Sequence, residues 1–144
     1  IHRSNFLLGH RYGENFVYDE MMLTGPGEQG EAIAKGVAAD KSMVESTIQP
    51  GEGPSKEERE NGSYDVMFSG SNDSGYTAVA SVQGDKDPGY GSTSKMLSET
   101  AICLACDNIN IEGGHWTPAS ALGEKLLNRL ESKAGMKFKI LEKE

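Results

Sequence analysis

Two short runs of period two constrain this fold most. In Ser63–Ser69, Tyr64, Val66 and Phe68 alternate with Asp65, Met67 and Ser69, and in Tyr76–Gln83, Tyr76, Ala78, Ala80 and Val82 alternate with Thr77, Val79 and Ser81. Successive strand side chains point to opposite faces, so each run reads as a strand with one apolar face. The connection Gly70-Ser-Asn-Asp-Ser-Gly75 is turn chemistry throughout, which makes the pair an antiparallel hairpin.

The stretch that follows, Gly84 to Cys106, leads out of that hairpin. Asp85-Lys-Asp is a charged turn, and Pro88, Gly89 and Gly91 aim the backbone into a helix from about Ser92 to Asp107. Leu97, Ala101 and Leu104, with Met96 and Cys103 beside them, are its expected buried stripe. From Ala101 to Cys106 the helix is apolar nearly all round, which predicts cover on both sides.

Either side of this centre the chain reads as follows. Residues 1–13 hold Phe6, Leu7 and Leu8 in a short helix or turn, and the alternation in Asn15–Leu23 predicts a strand. A helix is expected from near Glu28 to Thr47, with Ile33, Val37, Val44 and Ile48 on one side; Gly36 weakens it by about 1 kcal/mol relative to Ala. Gln49–Asn61 is a loop with a small helix inside it, capped by Ser55 and Glu58 and closed near Gly62. Thr117-Pro118 opens a last helix, with Ala119, Leu122, Leu126, Leu127 and Leu130 on one face and Gly135 as its stop. Met136, Phe138 and Ile140 then alternate with Lys137, Lys139 and Leu141 in a final strand. The sum is a soluble α+β domain.

Charge and cysteine usage narrow the partners. The chain has 144 residues, with 14 Lys+Arg against 22 Asp+Glu, a net charge of −8 and no basic block. Nucleic acid and anionic membrane surfaces are therefore not expected as partners. No apolar run approaches membrane-spanning length. Two cysteines are no disulfide framework, which points to a reducing, cytoplasmic setting. The chain opens Ile1-His2-Arg3-Ser4 without Met, in sequence that reads as mid-domain, so a piece of a longer protein is expected.

Three motifs could carry chemistry. Gly25-Pro-Gly-Glu-Gln-Gly30 has G-x-G-x-x-G spacing, but Tyr18–Thr24 before it is too charged for the buried parallel strand a dinucleotide turn needs. A loop before a helix is the preferred reading, and no cofactor-binding residue is assigned. Cys103-Leu-Ala-Cys106 is a C-x-x-C, yet no second pair exists and His2, His10 and His115 lack ligand spacing. Two buried cysteines acting as small hydrophobes are expected there, with redox or metal binding as the minor alternative. Gly89-Tyr-Gly-Ser-Thr-Ser-Lys95 lacks phosphate-loop order, but Ser92, Thr93, Ser94 and Lys95 crowd the first turn of a helix, where an anionic ligand or substrate carboxylate is plausible. In the plain alternative, Ser92 or Thr93 caps the helix and Lys95 is solvated.

The segments Gly51–Gly62, Gly84–Ala105 and Gly113–Gly123, with Ile1–Gly9 and Tyr12-Gly13, resemble the C-terminal part of saccharopine dehydrogenase-like oxidoreductases, including trans-acting enoyl reductases. The resemblance implies a second domain of α+β type, a mostly antiparallel sheet with helices packed on one face, beside an N-terminal Rossmann domain that holds NAD or NADP. On that reading residues 1–144 are one C-terminal substrate and dimerisation domain, and the Rossmann half is absent. The isolated domain then neither binds the dinucleotide nor reduces a substrate. Its implied partners are its own Rossmann domain and a second copy, as a homodimer. Asp87, Tyr90, Ser92, Thr93 and Lys95 are the substrate-side candidates; no catalytic residue is assigned. A structural or dimerisation module without a catalytic role is the alternative.

Overall fold

The computed structural model describes residues 1–41 and 51–143. They form two compact units: one is Ile1–Gly13 with the segment from Pro54 onward, the other Glu14–Gly53.

The first unit is built on the expected hairpin. β1 (Tyr64–Ser71) pairs antiparallel with β2 (Thr77–Gly84), and β3 (Lys137–Lys143) adds antiparallel to the other side of β2. The order β1-β2-β3 leaves β2 central. Asn72 builds the turn: its Oδ1 accepts from the amides of Ser74 and Tyr76, both at 3.0 Å, and Gly75 takes a φ of 81°. The register sets Tyr64 opposite Gly84, Val66 opposite Val82 and Phe68 opposite Ala80, with Phe138 and Ile140 continuing the rows on β3. One face is thus apolar, as alternation predicts. It is not fully covered: Val66, Phe68 and Ile140 are exposed.

The helices α1 (His2–Leu7), α3 (Lys56–Asn61), α4 (Gly91–Cys106) and α5 (Pro118–Lys133) complete this unit. α3 carries the expected capping box, with the Ser55 amide and Glu58 carboxylate 2.8 Å apart. Gly62 ends it, in extended rather than left-handed backbone. Glycine is needed there for room, since a Cβ would stand 2.6 Å from Asp87 Cα. α5 begins with the Thr117 cap and Pro118, bends at Gly123 (φ 50°, ψ −129°) and stops at Gly135 (φ 71°). Ser4 on α1 meets Thr117 at 2.9 Å, and the buried Asn5 closes the 1–13 turn through Gly13 O and the Tyr12 amide, both at 2.8 Å. The core is the seam between α4 and α5: Cys103, Leu122 and Leu126, with Ile109, Ala121 and Leu130 against them.

Rotation of α4 about its axis departs from expectation. Leu97 is 69% and Leu104 53% exposed, and Ala101 is exposed too, while Ser92 and Cys103 point inward. The cause is ionic. α4 carries just Lys95 and Glu99 as charges, and both lie on the Ser92–Cys103 side, tied to Asp85 and Arg129. Turning the leucines inward would break both pairs and leave Arg129 with a lost partner. The cover expected on both sides of Ala101–Cys106 is therefore present on one side, and Cys106 is exposed. Leu127 also faces out of the α5 stripe.

In the second unit, α2 spans Gly27–Ala39 and ends at Asp40 in extended backbone, short of Thr47. Val44, Ile48 and the rest of the expected tail lie outside the described residues. Asn15–Leu23 is not a strand. Its alternation survives locally, since Phe16 and Tyr18 stack with centroids 6.4 Å apart, but no neighbouring strand pairs with it among the described residues. Val17, Met21, Met22 and Leu23 are exposed.

Gly84 locks the hairpin to the helices. The Tyr64 ring lies across it, and a Cβ there would stand 2.7 Å from the Tyr64 hydroxyl. Gly84→Ala should lower stability by about 1–3 kcal/mol, read from urea unfolding. In a Tyr64→Ala background the added cost should fall away, because the two residues share one space.

Candidate functional site

The site begins where β2 ends. After Gly84 the chain turns through Asp85-Lys-Asp-Pro-Gly-Tyr90 into α4, and all five candidates are hydrogen-bonded within the fold, Tyr90 through its amide. Asp87 caps the helix: its carboxylate accepts from the amides of Gly89 (3.1 Å), Tyr90 (2.8 Å) and Gly91 (2.7 Å). Those amides hold its carboxyl below the ordinary value, Gly91's foremost. An anion cradle at this terminus therefore exists, and the chain's own carboxylate occupies it.

Around that cap the other candidates are placed as follows. Ser92 is fully buried, its hydroxyl 3.1 Å from the Tyr64 hydroxyl. Thr93 Oγ1 donates to Pro88 O at 2.7 Å. Lys95 Nζ donates to Asp85 Oδ1 at 2.7 Å and to Ala134 O at 3.1 Å, which joins the β2 end, α4 and the α5–β3 turn. The Lys95 bond lowers the Asp85 carboxyl. Tyr90, at the N-cap, is 53% exposed, and Thr93 is exposed as well. Ser92, Thr93 and Lys95 thus fall in the first turn and a half of α4, with Tyr90 at its N-cap and Asp87 in the turn before it. Lys95 is neither solvated nor on a phosphate loop.

A concavity of about 420 Å³ adjoins this node, lined by Ser63, Tyr64, Asp65, Gln83, Gly84, Asp85, Gly135 and Lys137. None of the five candidates lines it directly. Tyr64, Asp85 and Gly135 were not singled out in the sequence. The hairpin register held the signal for Tyr64, since an aromatic opposite a glycine tends to lie across it. Nothing local marks Gly135 beyond its role as a helix stop, yet a Cβ there would come within 2.6 Å of Asp85 Cγ.

The C-x-x-C motif resolves differently from expectation. Cys103 is buried and behaves as a core residue, but Cys106 is exposed, because the helix face it shares is the uncovered one. Burial raises the Cys103 thiol, and a bond to Asp107 adds to it. Such a thiol is a poor nucleophile. Arg129 Nε and Nη2 grip Asp107 at 2.7 and 2.8 Å, and Nη1 reaches Glu99 at 3.0 Å. Among the described residues no group of three or more His, Cys, Asp or Glu is placed to hold a metal ion. In the Gly25–Gly30 turn Gly30 is buried, and a Cβ on it would stand 2.6 Å from Gly25 C, whereas Gly25 and Gly27 are exposed. Its glycines let the loop fold onto its own helix.

The class these features define is an α+β domain with a three-stranded antiparallel sheet and a glycine-rich turn into a capped helix. No helix among the described residues is long and apolar enough to cross a membrane. The chain is similar to a protein of Mycobacterium tuberculosis that carries the name trans-acting enoyl reductase provisionally, at 34% identity over 90% of this chain. A trans-acting enoyl reductase of Mycobacterium ulcerans is 31% identical and one of Mycobacterium bovis 30%, again over 90% of the chain. The chain spans about a third of these relatives' length, 36% of the first and 35% of the others. No family model matches the chain. No solved structure matches it either.

Asp107 gives the acid behaviour its sign. Bonds from Arg129 and Cys103 lower its carboxyl from 3.8 to about 2. A depressed folded value means the pairing stabilises the fold above the unfolded value, near 3.9, and is lost as pH falls toward 2. Asp85 and Asp87 are shifted in the same direction. Urea midpoints should thus drop steeply below pH about 4, and Asp107→Asn should be less stable at neutral pH but show a shallower acid loss.

Proposed function

We propose that this chain is the substrate-side domain of an NAD(P)-dependent oxidoreductase of saccharopine dehydrogenase-like type that reduces an enoyl substrate. The observation that carries the reading is the 34% identity along 90% of the chain to a protein named as a trans-acting enoyl reductase, of which the match occupies 36%. On this reading NAD or NADP is held by a Rossmann domain outside these residues, and the whole acts in the cytoplasm. The turn Asp87–Gly91 forms one wall of the cleft. Asp87 and Lys95 shape that wall rather than touch substrate, since both are bound within the fold. Tyr90, with its exposed ring, is the wall's contact group.

A chimera tests this directly. The chain should replace the matching third of the Mycobacterium ulcerans relative, and NAD(P)H oxidation with an enoyl thioester should be followed by absorbance. Turnover is expected, with Tyr90→Ala raising KM about tenfold, a loss of about 1.4 kcal/mol in substrate binding. A chimera that folds and binds NADPH but leaves the enoyl group unreduced would sink the proposal.

The second reading is a structural and dimerisation module without a catalytic role. It is favoured by the uncovered sheet face, where Val66, Phe68 and Ile140 stay exposed.

A further inference from the structure

We infer that the hollow between the end of α4 and the last turns of α5 binds a phosphate-bearing small molecule, gripped by Lys125 and Lys133. It lies at the opposite end of α4 from the Asp87–Gly91 turn and is independent of the enoyl reading. The sequence holds no basic block, yet helical spacing makes one here. Lys125, Arg129 and Lys133 stand four apart on α5 and so share one face, with Asn128 beside them. That face lines a concavity of about 620 Å³, closed on its other side by Cys106, Asp107 and Asn108. The acids of α5, Glu124 and Glu131, do not line it.

Donors in this hollow exceed the acceptors that answer them. Arg129 is its fixed floor: Asp107 and Glu99 hold the guanidinium, and their own charges are committed to it. Lys125 Nζ donates to Asn108 O, which leaves the rest of its ammonium donors open. Lys133 is exposed and forms no ion pair among the described residues. Nor does the end of α5 require it as a cap. Leu130 O accepts from the amides of Ala134 and Met136, and Ala134 O accepts from Lys95. Charge and reach then select the ligand. Lys125 and Lys133 are about 12 Å apart along the axis, a span that two lysine stems close from either end. A phosphate monoester brings acceptor oxygens and about two negative charges, which match two ammonium groups. A carboxylate carries less charge, and the fork it would favour, Arg129, is already taken by Asp107. The net charge of −8 acts weakly here, because exposed charges are screened beyond about 8 Å at physiological salt.

Cys106, exposed on the rim, reports occupancy, while the buried Cys103 should not react. Glycerol phosphate, titrated into the whole 144-residue chain at about pH 8, where it is a dianion, should bind saturably by calorimetry. At about ten times its dissociation constant it should slow alkylation of Cys106 by iodoacetamide about tenfold. Acetate at equal ionic strength should do neither. Lys133→Gln should weaken binding about tenfold, the loss of one charge-assisted contact, with an unchanged circular dichroism spectrum. Lys125→Gln, which also loses the Asn108 bond, should weaken it at least as much. Lys56→Gln, on α3 and outside the hollow, should leave it unchanged. Phosphatidylcholine vesicles with added phosphatidate present the same group on a lipid, and should give Cys106 no protection. Protection by those vesicles alone would overturn the small-molecule assignment. A chain without saturable binding would overturn the site altogether. Uptake that Lys56→Gln lowers as much as Lys133→Gln would do the same, as an adventitious ion only.

Discussion

Asp87 ties together the end of β2, α3 and the start of α4. Its carboxylate takes three amides of the turn that enters α4, its own amide donates to Arg59 O on α3 at 3.2 Å, and its carbonyl accepts from the Ser92 amide at 2.7 Å. One residue thereby fixes where α3 ends, how the β2 exit turns and where α4 starts. Close packing around it requires glycine: Gly62 makes room against Asp87 itself, and at Gly91 a Cβ would stand 2.8 Å from Arg59 O. Since the direction of α4 sets the seam with α5, the small core of Cys103, Leu122 and Leu126 depends on this polar node. A core this small contributes limited hydrophobic stabilisation, so precise polar joints carry a larger share than in a bigger domain.

What the sequence revealed divides along the range of the forces involved. The hairpin, the Ser55/Glu58 capping box, the Thr117-Pro118 helix start and the Gly135 stop are set by neighbouring residues, and all formed as read. The rotation of α4 was not legible, because hydrophobicity along one helix says nothing of where Asp85 and Arg129 stand. Lys95 meets Asp85 at ten residues' separation and Glu99 meets Arg129 at thirty. Two ion pairs distant in sequence thus set which side faces inward in a helix that is polar at its start and apolar from Ala101. The extended run at Asn15–Leu23 failed for a related reason: alternation describes a strand's faces but supplies no partner strand.

The candidate site was legible in place but not in role. Ser92, Thr93 and Lys95 gather at the start of α4 as their spacing implied. Loop chemistry alone could not show that Asp87 would take the helix amides, which leaves that terminus satisfied without a ligand. The five residues therefore divide into two exposed ones, Tyr90 and Thr93, and three set further into the fold, Asp87, Ser92 and Lys95.

Two glycine-rich turns in this chain look alike on paper, and what approaches each glycine separates them. At Gly25–Gly30 the approaching group is the chain's own loop, whose carbonyl carbon would crowd a Cβ on Gly30. At Gly84–Gly91 the approaching groups are the Tyr64 ring and Arg59 O, from flanking segments, and the Lys86 side chain of the turn itself. In each turn only some glycines meet close packing, Gly30 in the first and Gly84 and Gly91 in the second, while a Cβ on Gly25 or Gly27 would meet nothing within 4 Å. Two exposed faces of the chain are apolar: the Val66–Phe68–Ile140 sheet face and the Leu97–Ala101–Leu104 helix face. Small anions gain little from such surfaces, whereas large apolar partners gain from covering them. Beside the turn Tyr90, Thr93 and Ser94 are exposed as well, so the polar entry to α4 and the two apolar faces are separate surfaces.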